Sequence, residues 1–174
     1  MQKKNKLIVM CGCPGLGKTY WAQSHKDAIE NCKIVSRDDI RFSLVKENEP
    51  YFSHEDEVWE KFITKIQKEL NNNQNVIADA THLNERSRFK LFNALNLKNI
   101  ELIAIALTGT LNQALEQNEL RKGNRTYVPR SALKRMYYSF VMPDFDEGFD
   151  KIYKKIVGND KIIKIKKEWY NEQA

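Results

Sequence analysis

Cysteine, histidine and long apolar runs are all scarce in this chain of 174 residues, and each shortage removes a class of protein from consideration. The three cysteines are an odd count without the spacing of a disulfide framework, and two of them, Cys11 and Cys13, stand one residue apart. Such usage fits reduced thiols in a cytosolic protein rather than a stapled secreted fold. No further cysteine or histidine cluster completes a four-ligand metal set around that pair, and His25 and His54 show no ligand spacing. No stretch reaches the roughly 18 apolar residues needed to cross a bilayer. The opening Met1-Gln2-Lys3-Lys4-Asn5-Lys6 leads into a short strand, not into the apolar region of a signal peptide, so the expected location is the cytoplasm. Proline and glycine number only four and seven, and they gather into no linker or low-complexity tract. With 41% hydrophobic residues, the chain is expected to form one domain over 1–174, large enough to bury a core and too short for a second catalytic domain. Acidic residues are the minority charge, 23 against 29 Lys and Arg, which leaves +6 and a pI near 9.1. That balance favours encounter with polyanions without naming a chemistry.

What is present is concentrated in Gly12-Cys13-Pro14-Gly15-Leu16-Gly17-Lys18-Thr19, which fits the phosphate-binding loop GxxxxGK[ST] directly behind the apolar run 7–11. Glycines at 12, 15 and 17 let successive N–H groups converge, and the helix that follows adds the positive end of its dipole. A nucleoside triphosphate is the expected guest, with Lys18 bridging its terminal phosphates and the Thr19 hydroxyl on magnesium. Gly12, Pro14, Gly15, Gly17, Lys18, Thr19 and Tyr20 form the expected nucleotide site. The competing reading is a plain glycine turn between strand and helix.

The rest of the chain alternates strand and helix signals. Strands are expected at 33–35, 75–79 and 100–107, with a last edge-like one at 161–166. A long amphipathic helix is expected over 54–70 from the spacing of Val58, Trp59, Phe62, Ile63, Ile66 and Leu70, and another over 84–95 with Phe89, Phe92 and Leu95 on one face. Thr110 is placed to cap a helix carrying Leu111, Ala114 and Leu115, and Pro129 suits the first turn of a helix whose Leu133, Met136, Tyr137 and Phe140 share a face. This order implies an α/β fold: a parallel sheet of about five strands, helices on both faces, and a helical lid at about 116–140. Ligands in such sheets gather at the carboxyl ends of strands, which collects the phosphate loop, 36–41 and 79–84 in one place.

Phosphoryl transfer to a hydroxyl needs a group that orients the hydroxyl and takes its proton. Asp38, in Ser36-Arg37-Asp38-Asp39-Ile40-Arg41, is the candidate, and Arg41 one turn later could grip an anionic group on the acceptor. The competing reading is a capped helix start with surface ion pairs. Arg121-Lys122-Gly123-Asn124-Arg125 offers guanidinium groups beside a glycine hinge, or else an ordinary solvated basic loop. Asp144 and Asp146 read as loop residues, and His82 as a polar loop residue. Trp21, Trp59 and Trp169 are aromatic candidates for stacking on bases: Trp59 belongs on the apolar face of its helix, and Trp169 beside Tyr170 is the better candidate for touching substrate but better fits a solvated tail. Arg86 and Arg88 lie at the mouth of the acceptor site, where they either track a phosphate backbone or solvate a helix face.

Together, Gly-Cys-Pro-Gly-x-Gly-Lys-Thr with Tyr20-Trp21-Ala22, the segment from Arg37 to Arg41, Asp79-Ala80-Thr81-His82-Leu83-Asn84, Arg121 with Arg125, and Asp146-Glu147-Gly148-Phe149-Asp150 resemble the kinase module of the 5'-hydroxyl polynucleotide kinases. The resemblance implies that Asp38 is the general base, that Arg41 binds the acceptor nucleotide's phosphate, and that Asp79 supports the site by holding Arg41 or a magnesium-bound water. It also implies that Thr81 lies near the acceptor strand, and that Arg121 and Arg125 stabilise charge on the transferring group. Lys122 leaves the assignment among the three lid cations open. The implied activity is transfer of the terminal phosphate of ATP, or another nucleoside triphosphate, with magnesium, to the 5' end of a nucleic acid. A small-molecule kinase of the same architecture and a nucleotide-binding switch without transfer are the alternatives.

Overall fold

Five parallel strands and one antiparallel edge strand form the sheet around which the chain is wound, in the order β2-β3-β1-β4-β5-β6. The computed structural model describes residues 4–167. Strand β1 (Asn5–Cys11) is central and pairs with β3 (Asn75–Asp79) and β4 (Ile100–Thr108); β2 (Cys32–Ser36) lies outside β3, and β5 (Lys151–Ile156) outside β4. The short β6 (Ile162–Lys164) runs antiparallel to β5. The period of two is visible in β1: Leu7, Val9 and Cys11 enter one core, Ile8 and Met10 the other.

Helices cover both faces. On the first lie α2 (Arg37–Leu44), α3 (Glu55–Asn71) and α4 (Glu85–Asn93), contributing Ile40, Val58, Phe62, Ile66, Leu70 and Leu91. On the second lie α1 (Lys18–His25), α5 (Leu111–Glu119) and α6 (Arg130–Ser139), contributing Trp21, Ala22, Ala114, Leu115 and Leu133. The expected α/β fold is the observed one. No helix among the described residues is long and apolar enough to cross a membrane.

Three expectations are corrected. Strand β5 was not foreseen, because Lys-Ile-Tyr-Lys-Lys-Ile reads as polar; only Ile152 is fully buried, and Lys151 pairs with Glu101 on the surface. On α4, Phe89 is 66% exposed, and Leu91 fills the core beside Phe92 and Leu95. Arg88, expected at the acceptor mouth or in solvent, is fully buried. It makes a bidentate pair with Glu147 (2.6 and 2.8 Å) and donates to the carbonyls of His82 and Val141, both at 3.0 Å. It therefore ties α4 to the turn at Phe145–Glu147, which precedes β5.

Candidate phosphate-loop active site

The phosphate loop is anchored at its start by a contact with the end of a neighbouring strand. The Gly12 N–H donates to the Thr81 carbonyl (2.9 Å), which ties the loop to the turn after β3. Glycine is required at two points by close approach as well as by backbone conformation. At Gly12 (φ 150°) a Cβ would stand 2.6 Å from the Leu107 carbonyl oxygen, and at Gly15 (φ 86°) one would stand 2.7 Å from that of Ala114. Helix α1 then starts with no acidic residue of its own in its first turn, and the carboxylate beside that turn is Asp79, bonded to Thr19.

Lys18 is 8% exposed, and its Nζ donates to the Cys13 carbonyl (2.9 Å). Burial pushes its pKa down to about 8, against the pull of the Asp79 charge. A lysine so depressed loses its charge as pH rises through about 8, and an anion bound beside it restores the proton. Triphosphate affinity is therefore expected to weaken above pH of about 8, with proton uptake on binding that is absent at neutral pH. Titration calorimetry in buffers of different ionisation enthalpy measures that uptake, and a flat affinity across this window would exclude it.

Thr19 Oγ1 donates to Asp79 Oδ2 at 2.8 Å. Burial raises the Asp79 pKa, while the Thr19 hydrogen bond and the Lys18 charge act the other way. Asp79 is thus engaged with Thr19, and its expected partnership with Arg41 is not formed. Thr81 is half-buried and His82 buried. The His82 Nδ1 lies 2.7 Å from the Met10 carbonyl, and burial drives its pKa down to about 4, so a neutral imidazole donates there and serves the scaffold.

On the acceptor side, Ser36 and not an aspartate caps α2, its Oγ accepting from the Asp39 N–H (3.2 Å). Asp38 is thereby left out of the capping, with its side chain 51% exposed. It accepts from the Arg41 guanidinium and from the Tyr51 hydroxyl (2.7 Å), and its charge acts on both Lys18 and Asp79. Arg41 is 5% exposed: its Nε donates to Glu55 (2.7 Å), another nitrogen reaches the Tyr51 hydroxyl (2.8 Å), and the guanidinium lies 4.4 Å from the Tyr51 ring centre. Burial, then the Asp38 charge, pushes the Tyr51 phenol up, so it remains a donor. Tyr51 and Glu55 were missed in the sequence because they approach from the far side of the connection between α2 and α3. Only the aromatic pair Tyr51-Phe52 after Pro50 marked it.

The segment between α5 and α6 bridges the two faces of the sheet. Arg121 is half-buried and its charge lowers the Lys18 pKa, whereas Lys122 is exposed. Arg125 faces α2: its guanidinium donates to the carbonyls of Phe42 (3.4 Å) and Val45 and lies 4.7 Å from the centre of the Phe42 ring. Another missed residue, Asn118, is fully buried and closes the segment by donating to the Val128 carbonyl (2.7 Å) and accepting its N–H (3.0 Å). Of the remaining expected residues, Arg86 is exposed on α4 and Tyr20 is 77% exposed on α1. Trp21 is buried and stacked on His25, and Trp59 is half-buried under Lys90 and Arg37. Trp169 and Tyr170 lie outside the described residues.

Comparison with known proteins agrees with this architecture. The chain superposes on a chain of the Pnkp1/Rnl/Hen1 RNA repair complex with a TM-score of 0.69 and 20% identity, covering 80% of this chain and 45% of that one. It thus spans less than half of that relative. A gluconokinase from Sinorhizobium meliloti 1021 superposes with a TM-score of 0.59 and 18% identity, covering 91% and 86% of the two chains. For a fungal RNA kinase the values are 0.58, 12%, 90% and 77%. No sequence among curated proteins matches. A family model described as AAA domain matches residues 7–143, most of the chain, and with its phosphate loop and kinase-like fold the protein belongs to that family.

Proposed function

We propose that the protein is a magnesium-dependent kinase that moves the terminal phosphate of ATP, or of another nucleoside triphosphate, to the 5'-hydroxyl of RNA or DNA. The observation that carries this reading is the half-exposed Asp38 carboxylate, free of helix capping, held by Arg41 and Tyr51, and two residues beyond Ser36, which pairs in register with Asp79. The residues from Gly12 to Tyr20 supply the nucleotide cradle, with Lys18 on the terminal phosphates. The donor set suits magnesium: the Thr19 hydroxyl, already bonded to a carboxylate, can turn an oxygen to a cation. Bound nucleotide and magnesium supply the phosphoryl group and neutralise its charge. Asp38 orients the acceptor hydroxyl and takes its proton as the new P–O bond forms and the diphosphate departs. Arg121 stabilises the charge that develops on the transferring group. Thr81 and Arg86 flank the acceptor, and Arg41 contributes through Asp38 and by contact with the acceptor's phosphate.

The engagement of Arg41 with Glu55 and Tyr51 favours a second reading, a small-molecule kinase, in which no acceptor phosphate has to be gripped. Labelled ATP offered with a 5'-hydroxyl oligonucleotide, and separately with a metabolite pool, decides between them: label must enter the oligonucleotide, and its absence there sinks the first reading. Asp38→Asn is expected to lower transfer by roughly 10²-fold or more while nucleotide still binds. Undiminished transfer would leave Asp38 without a catalytic role, and a wild-type protein that hydrolyses ATP and labels nothing would be a switch.

A further inference from the structure

Arg125 touches the helix that carries Asp38. Its guanidinium caps the C-terminal turn of α2, donating to the carbonyls of Phe42 and Val45, two groups that no further helical turn can satisfy. A cation there also suits the negative end of the helix dipole. The same guanidinium lies 4.7 Å from the centre of the Phe42 ring. Phe42 in turn meets the Tyr51 ring edge-on, with centroids 6.2 Å apart, and the Tyr51 hydroxyl donates to Asp38 at 2.7 Å. A continuous path of contacts therefore runs from the segment between α5 and α6 to the Asp38 carboxylate, without passing through the phosphate loop.

We propose that Arg125 is a positioning residue for Asp38, holding the end of α2 and the Phe42 ring so that Tyr51 keeps the carboxylate in a single orientation. The proposal rests on the reading of Asp38 as the base. It separates the two arginines of the segment: Arg121 acts on the transferring charge, and Arg125 sets the geometry of the acceptor side. The seating of the segment on α2 thus becomes a condition for a correctly aimed base.

The test is a double-mutant cycle on the full chain with Arg125→Ala, Tyr51→Phe and the pair, read by kcat, by KM for each substrate and by the side-chain carboxyl carbon resonance of Asp38. Arg125→Ala is expected to lower kcat about tenfold with KM for nucleotide unchanged, and Arg125→Lys to recover part of it, since lysine keeps the cation without the planar stack. The pair is expected to lose little more than Tyr51→Phe alone, because both act along one path. The Asp38 resonance is expected to move in the same direction in both single variants. Multiplicative losses in kcat, or an Asp38 resonance untouched by Arg125→Ala, would overturn the proposal. Should the wild-type protein label no hydroxyl acceptor, the base reading falls, and the resonance still decides whether Arg125 and Asp38 are linked.

Discussion

Arg121→Ala is expected to lower kcat for phosphoryl transfer by on the order of 10³-fold, with nucleotide affinity little changed. A loose transition state spreads charge over its equatorial oxygens, and a guanidinium aimed at them stabilises that state more than it stabilises bound substrate. Three cations were candidates for the role, and their surroundings separate them. Lys122 is exposed, and Arg125 is engaged with α2. Arg121 is half-buried and close enough to depress the Lys18 pKa. Two cations near each other repel, and an anion between them relieves that repulsion. Steady-state kinetics with saturating nucleotide measures the loss. A decrease confined to KM, or a larger kcat effect in Lys122→Ala, would shift the role away from Arg121.

The largest expected effect on stability is at Arg88. Arg88→Ala leaves Glu147, whose side chain is 11% exposed, without its cation, and takes the guanidinium donor from the carbonyl of buried His82 and from that of Val141. Breaking a buried pair in this way costs about 3–5 kcal/mol. For a chain of this length that corresponds to a fall of roughly 6–20 °C in Tm. Glu147→Gln, which keeps the shape and a hydrogen-bonding oxygen, is expected to cost less. Calorimetry or thermal unfolding followed by circular dichroism reads both. If Arg88→Ala unfolds within a degree or two of the wild type, the pair does not hold α4 against the turn before β5.

The phosphate loop was legible because its function is local: eight consecutive residues, a strand before and a helix after, carry the signal without help from the rest of the chain. The placing of Asp38 and Asp79 at adjacent strand ends was also legible, since parallel strands bring their carboxyl ends together and Ser36 pairs in register with Asp79. What escaped was everything decided by contacts between distant segments. Arg88 follows Arg86 in a polar stretch, and nothing in the spacing shows that one faces Glu147, 59 residues away, and the other solvent. Of the two roles expected for Asp79, the bond to Arg41 is not formed: Asp79 meets Thr19, and Glu55, from the start of α3, takes the Arg41 Nε. Asn118 looked like any polar residue near a helix end, although its amide spans ten residues of chain.

That amide matches the hydrogen-bonding groups of a neighbouring strand, one donor and one acceptor facing the Val128 backbone, so the two stems of the segment are stitched at their base. The cost of closing a longer loop above such a stitch grows only slowly, by about 0.6 kcal/mol for each doubling of length. The exposed tip at 122–124, between Arg121 and Arg125, can therefore change length at little cost to the fold while the stems keep leaving the sheet at the same points. The neck thus uncouples the length of the tip from the sheet beneath it.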